Sequence, residues 1–360
     1  YPTVFTPTHP TAEPHEVARA ARIVSEAERP LIIVGGGAVD AADEVRLLAE
    51  RLGAPVSADR MGHGVLSSRH PLSIAAPVAH RLWRDTDVVI AIGTRMQRPM
   101  ATWGRDTHLR TVWVNVDPDA AGRIDDPTCS LVARAEDVVA DLTSAVTGTR
   151  TTRPDLEPAR AEFERSLETL APQIRWLDAI RTELDDDGIF VADLTQVAYV
   201  GRIAFPVYQP RTYLTPGYSG TLGWSFASAL GAKVANPDAQ VVAVTGDGGF
   251  LYTATELATA VKYRIGVVTI VFDNDAYGNV RTMQRDVYGG RVHSTDLVNP
   301  DFVAFAESFG AQGLRVESPA DLRSALRDAF THTGPTVIEV PLPDVPSPWG
   351  ILETGWVRGP

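Results

Sequence analysis

The sequence predicts an α/β protein built from two doubly wound, mostly parallel-sheet domains. Short unbroken apolar runs, such as residues 31–34 and 88–92, suit strands covered on both faces by helices. Between them, apolar residues recur at i, i+3, i+4 and i+7, the period of amphipathic helices. A polar, proline-bearing stretch near the middle of the 360 residues splits this pattern in two.

Residues 1–14 carry Pro2, Pro7, Pro10 and Pro14 and are expected to be an extended linker. Val17, Ala20, Ala21 and Val24 then mark a helix, followed by a strand at 31–34 that runs into Gly35, Gly36 and Gly37. Val45, Leu48, Ala49 and Leu52 mark a second helix closed by Gly53. Strands at 88–92 and 112–116 complete a first domain over 15–147. Residues 148–170 read as an interdomain linker. A second domain over 171–345 opens with a helix through Leu177, Ile180 and Leu184. Strands are expected at 189–192, 240–244, 267–272 and 336–340, and Phe302, Phe305, Ala306 and Phe309, then Leu322, Ala325, Leu326 and Ala329, mark two further helices. Residues 346–360 are expected to be a tail.

Composition narrows the function. With 45 acidic against 33 basic residues the net charge is −12, which disfavours nucleic acid and anionic membrane surfaces as partners. No apolar run approaches the ~20 residues of a membrane span. The single cysteine, Cys129, cannot form an intrachain disulfide, as expected in a reducing compartment, and the cytoplasm is the expected location. The eight histidines show no metal-ligand spacing.

The chemistry concentrates in two segments. Gly246-Asp247-Gly248-Gly249 follows the second expected strand of the second domain, and Asn274-Asp275-Ala276-Tyr277-Gly278 follows the third. Asp247 and Asn274 are 27 positions apart, the length of one right-handed βαβ crossover, so both are expected at the carboxyl ends of strands where ligands bind. A carboxylate, an amide oxygen and a main-chain carbonyl are hard ligands suited to magnesium or calcium, and the glycines permit close approach to an anion. These residues predict a magnesium-held diphosphate.

This pattern resembles the cofactor signature of thiamine diphosphate-dependent enzymes. Glu256-Leu257-Ala258-Thr259-Ala260 and the run from Pro216 to Trp224 are similar to the acetolactate synthase branch. The resemblance implies that Asp247, Asn274 and the carbonyl of Ala276 bind magnesium, and that Gly248, Gly249 and Gly278 approach the diphosphate. It further implies that Leu222 wedges the cofactor into a V, that the carbonyl of Gly220 meets its aminopyrimidine, and that Thr195 and Gln196 add phosphate contacts. The implied reaction is decarboxylation of a 2-oxo acid with carboligation. A decarboxylase, an oxidase and a 2-hydroxyacyl-CoA lyase are alternatives within the family, and a non-catalytic nucleotide-binding or assembly subunit is the alternative outside it.

Active members of the family carry a pyrimidine-binding domain with an activating glutamate. The linker-like 1–14 stretch and the first residue, Tyr1, lead to the expectation that this domain comes from a preceding part or a partner chain, that no catalytic acid lies within 1–360, and that the assembly is a homo- or hetero-oligomer. Trp224, Phe250 and Tyr277 are then expected to leave an apolar interface exposed. In the first domain the resemblance implies FAD, a nucleotide or no ligand at all. The three adjacent glycines lack the dinucleotide-loop spacing and read as a tight strand-to-helix turn.

Overall fold

The computed structural model describes residues 9–120, 122–123, 126–149, 154–217 and 219–359. Residues 1–8 of the expected linker, 150–153 of the interdomain segment, and Tyr218 lie outside the described residues. The chain divides into two compact units. The first runs to Glu164 and takes in the segment from Glu353, and the second is Arg165–Leu352.

The first unit holds strands β1 (Pro30–Val34), β2 (Val56–Ala58), β3 (Ser73–Ile74), β4 (Val88–Ile92), β5 (Arg110–Asn115) and β6 (Cys129–Val132). They form one sheet in the order β3-β2-β1-β4-β5-β6, and every described pairing is parallel. β1 and β4 are buried along their whole length, as their unbroken apolar runs require.

The second unit holds β7 (Ile189–Ala192), β8 (Tyr213–Leu214), β9 (Val241–Gly246), β10 (Val268–Asp273), β11 (Gln312–Arg315) and β12 (Thr336–Pro341). Their order is β11-β12-β10-β9-β7-β8, again parallel throughout. Side chains alternate between two cores. Val242, Val244, Ile270 and Phe272 enter one cluster with Leu177, Ile180, Leu322 and Leu326, while Val241, Ala243 and Val271 enter another with Phe226, Phe250 and Phe302. The two α/β domains are therefore layered, with helices on both faces of a parallel sheet.

Two expected boundaries need correction. The segment 148–170 carries a helix, Glu157–Leu167, and a 3-10 turn, Glu168–Leu170. Only Phe163 in that helix is buried, so it lacks the apolar stripe by which helices are recognised. Residues 346–360 are not a free tail. The Gln173 amide donates to the Pro346 carbonyl at 2.6 Å, and Trp349 donates from its indole to Asn279 Oδ1 at 2.7 Å. Further on, the buried Arg358 guanidinium donates to the carbonyls of Arg84 (2.8 Å) and Thr86 (2.6 Å) in the first unit. Individual polar contacts hold this segment, and hydrophobic periodicity does not register them.

Candidate functional site

β9 and β10 are neighbours, with Gly246 opposite Phe272, so the segments that follow them leave the same end of the sheet. Asp247 is the first residue of a short helix, Asp247–Leu251, and Asn274 follows β10 directly. Phe250 pins that helix to the core. It is fully buried, with ring centroids 5.4 Å from Phe226 and 5.9 Å from Phe302.

Asp247 is buried, and its Oδ2 accepts hydrogen bonds from the Ala276 main-chain N–H (3.1 Å) and the Asn299 side-chain amide (2.8 Å). The same Asn299 nitrogen donates to Asp273 Oδ1 at 2.7 Å. Burial pushes the Asp247 carboxyl above its ordinary value, and the neighbouring Asp273 carboxylate adds to that rise against the lowering pull of the Asn299 and Gly248 hydrogen bonds. Asp275 takes a left-handed turn (φ 51°) that turns the chain towards Ala276. The carbonyl of Ala276 accepts from Gly278 N–H at 2.8 Å. A side chain on Gly278 would meet Asn274 Nδ2 at 2.8 Å, so Asn274 lies against this turn.

Thr195 and Gln196 lie beyond β7, at the same end of the sheet. A Cβ on Gly246 would stand 3.7 Å from the Thr195 side chain, while Gln196 opens the helix Gln196–Ala204 with its Oε1 buried and unpaired. Asp193, which links this loop to the next, is buried and accepts from Leu194 N–H (2.8 Å), Ser225 N–H (3.1 Å) and Ser225 Oγ (3.0 Å). It thereby satisfies free donors at the start of the helix Trp224–Ala235 and places a negative charge there.

The run before that helix packs on the Asp247 turn. Gly223 has φ 76°, and a Cβ there would meet Tyr252 Cβ at 2.5 Å, so a residue with a side chain would force the two loops apart. Thr253 Oγ1 donates to the Gly223 carbonyl at 3.1 Å. Leu222 is half-buried, and Gly220 (φ 61°) faces open space. Gly248 and Gly249 are both buried, yet they face different ways: a Cβ on Gly248 would strike the Tyr277 ring at 2.6 Å, and one on Gly249 would meet Thr245 Oγ1 at 3.0 Å. A side chain at Gly248 would have to displace the Tyr277 ring, and one at Gly249 would press on the Thr245 hydroxyl.

The expected apolar interface is composed differently. Phe250 is fully buried and Trp224 half-buried, because both fill the core beneath the loops. Tyr277 is partly covered, and its phenol is raised above the ordinary tyrosine range by a hydrogen bond with Tyr252. The exposed apolar side chains of this region include Leu251, Tyr252 (62 %), Val280, Met283 and Val287 (61 %). Val280, Met283 and Val287 fall on one face in and just past the helix Gly278–Asp286, which buries no residue.

The groups around Asp247 suit a hard divalent cation: oxygen ligands and a buried carboxylate with a second beside it. Among the described residues no three His, Cys, Asp or Glu side chains gather as a separate metal cluster. In the first unit, Gly37 N–H donates to the Gly93 carbonyl at 2.9 Å, and Cβ atoms on Gly35 or Gly37 would meet the 93–94 backbone at 2.5–2.8 Å. These glycines are needed where one loop backbone crosses another.

Two family descriptions match this architecture: "Thiamine pyrophosphate enzyme, C-terminal TPP binding domain" over residues 193–340, and "Thiamine pyrophosphate enzyme, central domain" over 17–142. The chain belongs to the thiamine pyrophosphate enzyme family. Asp193, Asp247, Asn274 and Asn299 all fall within the span matched by that family's TPP-binding domain. The chain is 31 % identical to the "Probable acetolactate synthase large subunit" of Methanocaldococcus jannaschii over 91 % of its own length and 60 % of the relative's. It is 32 % identical to the "Probable 2-ketoarginine decarboxylase AruI" of Pseudomonas aeruginosa, over 89 % and 59 %. With the "Acetolactate synthase large subunit" of Corynebacterium glutamicum the figures are 29 % identity, 96 % and 60 %. The chain therefore spans about three fifths of the length of these relatives.

Sequence reasoning missed Asp273, Asn299 and the role of Asp193. Asp193 stands beside Thr195 and Gln196, but its partner Ser225 is 32 residues away. Asn299 lies 52 residues beyond Asp247, and nothing local in the sequence links the two.

Proposed function

We propose that this chain supplies the diphosphate- and cation-binding part of a thiamine diphosphate-dependent enzyme that decarboxylates a 2-oxo acid and joins the product to a second carbonyl compound, as acetolactate synthase does. The observation that carries this reading is the convergence of Asp247, Asn274 and Ala276 at the ends of adjacent strands β9 and β10. Asp247, Asn274 and the Ala276 carbonyl would hold magnesium, with Gly248, Gly249 and Gly278 beside the diphosphate. Thr195 and Gln196 would add phosphate contacts, and the buried, unpaired Gln196 Oε1 supports a polar ligand there. Leu222 and the Gly220 carbonyl would orient the two rings. When bound, thiamine diphosphate supplies a nucleophilic carbon and an electron sink for loss of carbon dioxide.

The chain's own residues serve to anchor, orient and exclude water. The activating acid would come from a pyrimidine-binding domain outside residues 1–360, in the same polypeptide or a partner, within an oligomer. The exposed face of Val280, Met283 and Val287 supports such a cover over the site. No helix of the described residues is long and apolar enough to cross a membrane, and the cytoplasm is the proposed location. Decarboxylation without carboligation is the second reading, favoured by the likeness to the 2-ketoarginine decarboxylase.

The test is carbon dioxide release from pyruvate and from 5-guanidino-2-oxopentanoate, with thiamine diphosphate and magnesium, by the 360-residue chain alone and with a pyrimidine-domain polypeptide. The expected result is no turnover alone and turnover with the added domain, with acetolactate formed from pyruvate. Substantial turnover by the chain alone would place the activating acid within it and refute the division proposed.

A further inference from the structure

We propose that Asn299 is a positioning residue for the cation site, one that holds the carboxylates of Asp247 and Asp273 together. The role rests on the cation-binding reading of Asp247. The Asn299 Nδ2 gives one hydrogen bond to each carboxylate, at 2.8 and 2.7 Å. Both of its protons are thus committed to anions that would otherwise repel across a partly buried gap. The opposite amide orientation would face Oδ1 against two carboxylates, so the chemistry fixes the nitrogen inward and leaves Oδ1 buried and unpaired.

The backbone brings Asn299 there by a short antiparallel return. Tyr277 N–H donates to the Thr295 carbonyl and Leu297 N–H to the Asp275 carbonyl, both at 2.8 Å, around a bridge between Ala276 and Asp296. This return binds segment 295–299 to the turn that presents Ala276, whose N–H shares Asp247 Oδ2 with Asn299. Asn299 therefore fixes the orientation of the Asp247 carboxylate and keeps Asp273 within reach of the same charge. A prearranged pair of carboxylates meets a divalent cation without first having to be gathered.

The test uses the 360-residue chain with Mn2+ alone, followed by electron paramagnetic resonance, and magnesium titrations of thiamine diphosphate binding by calorimetry. Asn299→Ala, and Asn299→Ser, whose hydroxyl is too short to bridge both carboxylates, should each raise the cation concentration at half-saturation about 10–100-fold, as loss of an outer-shell partner does. In an Asp273→Asn background the Asn299→Ala effect should shrink, because one of the two anions is gone; a merely structural asparagine would give additive losses. If Ala does not fold, Ser carries the comparison. An unchanged cation midpoint in a folded variant, or strict additivity, overturns the positioning role alone. Failure of the parent to bind either Mn2+ or the magnesium cofactor overturns the cation reading and this role with it.

Discussion

Asp247→Ala is expected to weaken magnesium-dependent binding of thiamine diphosphate at least a hundredfold while leaving the cation-free fold as stable as the parent or slightly more so. The two effects have opposite signs for one reason. Burial and the adjacent Asp273 make the Asp247 charge costly until a cation neutralises it. Losing one member of a buried charge pair typically costs about 3–5 kcal/mol, or roughly 10²–10⁴ in affinity, because the other charge is left uncompensated. The same deletion in the cation-free chain removes an unfavourable charge together with the hydrogen bonds accepted from Ala276, Asn299 and Gly248. Calorimetry gives the affinity and urea unfolding the stability. Parent-like cofactor affinity would remove Asp247 from the site, and a large loss of stability would make it a structural carboxylate.

The largest expected effect on stability is that of Asp193→Ala. The carboxylate is 1 % exposed and accepts three hydrogen bonds, two of them from a fully buried Ser225. Removing it strands buried donors at about 1–3 kcal/mol each and takes a negative charge from a helix N-terminus, for a combined loss of roughly 3 kcal/mol or more. Ser225→Ala, which keeps the main-chain donor paired, should cost markedly less. Hydrogen exchange of the helix Trp224–Ala235 reads this directly. Its first-turn amides should lose protection in Asp193→Ala before those of β9 do, and unchanged protection would show that Asp193 does not hold this helix.

The sequence is most legible where burial is two-sided. β1, β4, β7 and β9 follow from unbroken apolar runs and β5, β10 and β12 from apolar runs interrupted by a single polar residue, and the placement of Asp247 and Asn274 at neighbouring strand ends follows from the length of one crossover. Strands β2, β3, β6, β8 and β11 were not legible, since they have two to four residues and all of them sit at or beside a sheet edge with little apolar signal. Phe250 shows another limit. An aromatic next to a ligand loop reads equally well as a contact surface or as an anchor, and only the positions of Phe226 and Phe302 decide for the anchor. Asp193 and Asn299 act through single hydrogen bonds between segments far apart in the chain, which neither composition nor periodicity records.

The central claim is that a divalent cation and a diphosphate meet at the ends of β9 and β10. Hydrogen exchange of the chain with thiamine diphosphate, in magnesium and then in EDTA, tests it most directly. The expected result is new protection at residues 246–249 and 274–278 that needs both ligands and disappears on chelation. Protection that survives EDTA, or that falls instead on the glycine turn at 35–37, would contradict it.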